Sequence, residues 1–109
     1  MGEPSSGEQF LPRRDRILRR DRFQCVYCNA QPPAAELTLD HVEPRIKGGD
    51  QSDGNLVTCC KACNTLKAGK PAWAFLANDA ERREIFLRNA TGVWPRLMRA
   101  IEQAARKTP

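Results

Sequence analysis

The sequence predicts a small α+β domain, and three observations carry that expectation. Two short alternating runs, LTLD at 37–40 and NLVT at 55–58, read as β-strands. Arginine-rich segments of helical character flank them on both sides. Two C-x-x-C pairs, Cys25/Cys28 and Cys60/Cys63, are separated by 31 residues that contain most of both strands. A chain of 109 residues fits one domain. At this size the apolar core is limited, so a bound metal would help to hold it together.

In chain order, MGEPSSGEQFLP at 1–12 is polar with Gly and Pro and is expected to be a disordered leader. RRDRILRRDR at 13–22 reads as a short basic helix with Ile17 and Leu18 as its apolar part. FQCVYCNA should form a tight turn, and the prolines of QPPAAE make the next stretch a loop. Leu37 and Leu39 share one face of the first strand. VEPRIKGGDQSDG is a turn-rich loop leading to the second strand. A helix over Lys61–Ala68 should end at Gly69 and Pro71.

Beyond Pro71 the pattern is helical in pieces. AWAFLAN makes a turn or two. Asp79 can cap AERREIFLRNA, with Ile85 and Phe86 facing the core and Gly92 ending it. Pro95 suits the first position of PRLMRAIEQAARK, where Leu97, Met98 and Ile101 form an apolar stripe. Trp73, Phe75, Phe86 and Trp94 are expected to pack this tail on the core. The expected division is therefore a leader at 1–12, a core at 13–70 and a helical extension at 71–109.

Eighteen Lys and Arg face 13 Asp and Glu, a net charge of +5. Residues 13–22 and 81–109 each carry +4, while 23–70 balance to zero. Basic flanks around a neutral centre fit a polyanion held against an uncharged working site, although arginine-rich helices are also commonly plain solvated faces. No apolar run approaches the roughly 20 residues that span a bilayer. The first residues lack a secretory signal's apolar stretch. A cytoplasmic protein with no membrane partner is expected, in a compartment where thiols stay reduced.

Reduced thiols in two C-x-x-C pairs point to structural zinc, which takes four ligands in a tetrahedron. The second pair opens the predicted helix, whose N-terminal dipole favours thiolate. Asn29, after the first pair, tolerates the left-handed backbone such turns often need. A thioredoxin-type redox motif would need a single C-x-x-C in a βαβ setting. Cys59 breaks the x-x spacing to Cys63 and reads as a small buried hydrophobe. Its use as a ligand in place of Cys60 would require a C-x-x-x-C turn.

Four cysteines saturate zinc and leave His41, the one histidine of the chain, uncommitted. Its imidazole can take a proton near neutral pH. Asp40 and the amide oxygen of Asn64 are hard donors suited to Mg²⁺. In a regular strand Asp40 and His41 would face opposite ways, so they share a site only where the strand ends or bulges. Taken singly, a lone histidine is more often a satisfied, partly buried side chain.

The combination carries more than its parts. LTLDHVEPRIKGGDQSDGNLVTCCKACNTLK closely resembles the HNH endonuclease signature, and the likeness extends upstream through RRDRFQCVYCNA. The resemblance implies a ββα-metal (His-Me finger) core in which two antiparallel strands and a helix grip one catalytic ion. It implies His41 as general base and Asp40 and Asn64 as ligands of a catalytic Mg²⁺ or Mn²⁺. Asn55 would brace the loop by bonding backbone near His41. Cys25, Cys28, Cys60 and Cys63 would bind structural Zn²⁺, as in the zinc-containing branch. The third signature letter is Asn64 and not His, the H-N-N variant.

The function so implied is hydrolysis of DNA phosphodiester bonds, with double-stranded DNA as partner. Lys67, three residues after Asn64, and Arg45, Lys47 and Lys70 are candidates for phosphate contact, or else ordinary solvated bases. The competing reading is a non-catalytic zinc module that binds DNA or protein.

Overall fold

The structure is a computed structural model and describes residues 11–107. The leader expected at 1–12 lies outside the described residues except for Leu11 and Pro12. Helix α1 (Arg13–Arg20) comes first, then β1 (Leu37–His41), β2 (Leu56–Cys60) and α2 (Lys61–Lys67). Three further helices follow: α3 (Ala72–Phe75), α4 (Ala80–Asn89) and α5 (Pro95–Lys107). The α+β expectation holds.

Helix α1 has Asp15 in its first turn and Arg19 and Arg20 in its last, as the helix dipole favours. It stops at Arg20, two residues short of the expected end, because Arg22 and Phe23 take positive φ of 63° and 54°. Ile17 and Leu18 are buried. Asp21, just past the helix, is buried and fully engaged. It accepts from Arg20 Nε at 2.9 Å, from Arg20 Nη2 at 3.1 Å and from the Thr58 backbone N–H at 2.9 Å. That knot fastens α1 to β2.

The two strands pair antiparallel in one unbroken register, from Leu37 opposite Cys60 to His41 opposite Leu56. Every residue of β2 is buried, whereas in β1 only Leu37 and Asp40 are. Leu39 is half-buried, so it does not share the burial of Leu37. Between the strands, two 3₁₀ turns (Arg45–Lys47 and Asp53–Asn55) shape the loop. Gly49 is required there: a Cβ would lie 1.7 Å from the Glu43 carbonyl oxygen.

Helix α2 starts directly from β2. Cys60 caps it, its Sγ accepting from the Cys63 N–H at 3.3 Å. It ends at Lys67 with Ala68 in the left-handed conformation, one residue before the glycine expected there. In the tail, Asp79 caps α4 by accepting from the Arg82 N–H at 3.0 Å, and Pro95 opens α5. Helix α4 ends at Asn89, ahead of Gly92.

Phe86, Leu97 and Ile101 join Val26, Tyr27, Val57, Cys25, Cys60 and Cys63 in one buried cluster. Trp73, Phe75 and Trp94 pack against it, half-buried. The Trp94 N–H donates to the Gly54 carbonyl at 3.0 Å, and a Cβ on Gly54 would collide with the indole. The tail is thereby tied to the loop that precedes β2.

Candidate active site

Two constellations each draw residues from α2. The first is sulfur. Cys25, Cys28, Cys60 and Cys63 bring their Sγ atoms within 4.8 Å of one another. A tetrahedral zinc with arms of about 2.3 Å has S···S edges of about 3.8 Å, and Cys28 Sγ and Cys60 Sγ stand 3.7 Å apart. Two backbone N–H groups already point at these sulfurs, Tyr27 to Cys25 at 3.4 Å and Cys63 to Cys60 at 3.3 Å. The four cysteines can hold a metal such as zinc.

Cys59 is not among the gathered sulfurs. It is fully buried, and its thiol donates to the Cys60 carbonyl at 3.3 Å. A hydrogen bond with Cys59 pulls the Cys25 thiol down to about 5 against the effect of burial. Burial pushes Cys28 and Cys63 up. A metal entering this site must therefore expel protons from some of its ligands.

The second constellation is a pocket of about 340 Å³ at the end of β1, lined by Asp40, His41 and Asn64 with Arg45, Ile46 and Lys67 among its walls. Asp40 and His41 are sequence neighbours yet meet in it because β1 ends at His41 without a bulge. His41 Nε2 is buried and has no hydrogen-bond partner. An imidazole nitrogen left unpaired in a polar pocket is costly unless something binds it. Asn64 is exposed on the first turns of α2.

Asp40 is held on both oxygens. Tyr27 Oη donates to Oδ2 at 2.8 Å and Lys67 Nζ to Oδ1 at 3.2 Å. Burial raises the carboxyl's pKa, and the Lys67 charge and the Tyr27 bond oppose it. Lys67 also donates to the His41 carbonyl at 3.0 Å. Each carboxylate oxygen has two lone pairs, so both can still ligate an ion. The donor set of Asp40 carboxylate and Asn64 amide thus fits a hard divalent cation.

The Lys67 side chain, expected at a phosphate, is 2% exposed. Its ammonium is directed inward because Asp40 is buried and needs a counter-charge. Arg45 lines the pocket and is exposed, and Lys47 and Lys70, also exposed, are chain neighbours of the lining residues Ile46 and Gly69. Asn55 is fully buried and spans the loop. Its Oδ1 accepts from the Glu43 N–H at 2.8 Å, and its Nδ2 donates to the carbonyls of Glu43 at 2.9 Å and Asp50 at 2.8 Å.

Residues 25–73 match the HNH endonuclease family. The matched segment begins at the first cysteine of the sulfur cluster, ends inside α3 and contains every residue of both constellations. The match supports a nuclease, and with it a nucleic-acid substrate. In overall fold the chain is similar to part of the type II-C Cas9 enzyme from Actinomyces naeslundii, with a TM-score of 0.57 and 23% identity. That likeness covers 99% of this chain and 12% of the larger protein. No curated protein matches. Among the described residues, no helix is long and apolar enough to cross a membrane.

The matched segment contains one neighbour of the pocket that no motif announced. Tyr27, between Cys25 and Cys28, gives its hydroxyl to Asp40 while its ring packs against Phe75 and Phe86, with centroids 5.4 and 5.2 Å away. The available signal was general: a buried tyrosine hydroxyl needs a partner.

Proposed function

We propose that this protein is a metal-dependent endonuclease that hydrolyses phosphodiester bonds in double-stranded DNA. One observation carries the reading: His41 lines a pocket with Asp40 and Asn64, and its buried Nε2 has no hydrogen-bond partner among the described residues. No protein group occupies that nitrogen, which leaves it as the proton acceptor for an attacking water in the substrate complex. Asp40 and Asn64 would hold the catalytic Mg²⁺ or Mn²⁺, which when bound supplies charge neutralisation at the phosphate and the leaving oxygen. Tyr27 and Lys67 keep the Asp40 carboxylate aimed. Asn55 holds the backbone two residues beyond His41, and so orients the ring.

Zn²⁺ on Cys25, Cys28, Cys60 and Cys63 would serve the fold. Arg45, Lys47 and Lys70 would meet phosphates and position the duplex without reading sequence. In this reading residues 13–70 are the nuclease core and 71–109 a helical extension that buttresses Tyr27.

The Asp40–Lys67–Tyr27 knot is the one feature that favours a non-catalytic zinc module, since a buried ion pair can be purely structural. Plasmid nicking separates the two. With Mg²⁺, the wild-type protein is expected to nick supercoiled DNA. His41→Ala should lose at least about 10²-fold, the scale of general base catalysis, with zinc content and circular dichroism retained. An inactive wild type or an equally active variant refutes the catalytic assignment. Best activity with Ni²⁺ in place of Mg²⁺ or Mn²⁺ would count against an all-oxygen ligand set.

A further inference from the structure

The loop turn Arg45–Lys47 presents Ile46 at 90% exposure, the most exposed large apolar side chain among the described residues. A single surface isoleucine is ordinary in itself. This one stands on the rim of the pocket that holds His41, Asp40 and Asn64. It lies between two exposed cations, Arg45 and Lys47.

The turn that carries it is built stiffly. Lys47 N–H and Gly49 N–H both donate to the Pro44 carbonyl, at 2.8 and 3.0 Å. Gly48 closes it in the left-handed conformation at φ 100°. Gly49 presses on Glu43, and the buried amide of Asn55 ties Glu43 to Asp50 across the loop.

We propose that Ile46 is a wedge that enters the minor groove of duplex DNA and partly unstacks a base step, with Arg45 and Lys47 gripping the phosphates on either side. The proposal deepens the nuclease reading and rests on its DNA-facing part. Apolar side chains pushed between base steps from the minor groove are an established way to kink a duplex. Unstacking is cheapest at pyrimidine–purine steps. The kink would widen access to the scissile phosphate, so that a stack-opening contact and the His41 pocket act on the same stretch of backbone. Cleavage should then favour flexible steps without any hydrogen-bond readout of bases.

The test uses a short duplex with 2-aminopurine at a central TA step, titrated with zinc-loaded full-length protein without added Mg²⁺. Fluorescence should rise with wild type, rise with Ile46→Leu and stay flat with Ile46→Ser. In parallel, Ile46→Ser should nick plasmid with kcat/KM lowered about tenfold, the scale of withholding one isoleucine side chain from an apolar contact. Because Ile46 is almost wholly exposed, Ile46→Ser should keep its circular dichroism and zinc content. No fluorescence rise with wild type, or an equal rise with Ile46→Ser, overturns the wedge. An intact fluorescence pattern without any nicking by wild type instead removes the nuclease reading and leaves the wedge standing.

Discussion

Lys67 shows how far a side chain's role can depart from its place in a motif. Spacing from Asn64 suggests a phosphate contact, but the ammonium is buried against Asp40 and the His41 carbonyl. The physical reason is local: Asp40 is 8% exposed, and a carboxylate that deep must be paired. Removing one partner of a buried pair costs about 3–5 kcal/mol, because the other charge is left uncompensated. Lys67→Ala should therefore lower the urea midpoint substantially with an unchanged m-value. A surface phosphate-binding lysine would leave the unfolding free energy within about 0.5 kcal/mol of wild type, and such a result would mean that the ammonium is not buried in solution. Asp40, His41, Asn55 and Asn64 were singled out together by one signature, and the structure puts the first two and Asn64 on one pocket with Asn55 in the adjoining loop. Lys67's partners were not legible in the sequence, because they follow from the burial of Asp40, and Tyr27's hydroxyl bond was not, because its ring is packed by Phe75 and Phe86 of the tail.

At the scale of elements, the strands and helices were readable from alternation, capping residues and prolines. Asp79 and Pro95 stand at the helix starts that their chemistry suggests. The misreadings lie at ends. Helix α1 stops before Arg22 because two residues take left-handed backbone to turn the chain toward Cys25, and nothing in Arg22 or Phe23 advertises that. The basic charge of α1 also looked like a phosphate-binding face. Much of it is spent internally: Arg16 on Asp53 and Arg20 on Asp21 and two carbonyls. The contact between the loop and the tail is equally tertiary. Gly54 is needed because the Trp94 indole lies against its Cα, with a Cβ falling 2.2 Å from Nε1. Gly54→Ala should cost about 1–3 kcal/mol by overpacking and shift tryptophan fluorescence before any change at the cysteine cluster. An unaltered melting temperature and emission would show that the tail is not held on this loop.

For the whole molecule, the sulfur cluster is where separate parts of the chain meet. Cys25 and Cys28 come from the turn after α1, Cys60 closes β2, and Cys63 opens α2. Three of the four are buried within the same cluster as Tyr27, Phe86 and Leu97. A core in a domain this small has little stability to spare, and metal binding energy there is folding energy. Removing zinc with 1,10-phenanthroline at neutral pH should thus collapse the near-ultraviolet circular dichroism and abolish a cooperative melt. Withdrawing Mg²⁺ should change neither, because Asp40 is already neutralised by Lys67. Cys60→Ser should reproduce the chelated state. Cys59→Ser should keep its metal, since the serine hydroxyl can still donate to the Cys60 carbonyl that the Cys59 thiol now reaches. Metal content of the purified variants, read by inductively coupled plasma mass spectrometry, decides between them. A metal-free Cys59→Ser beside a metal-loaded Cys60→Ser would mean that the clasp closes on the other thiol, with a C-x-x-x-C turn and a different start to α2.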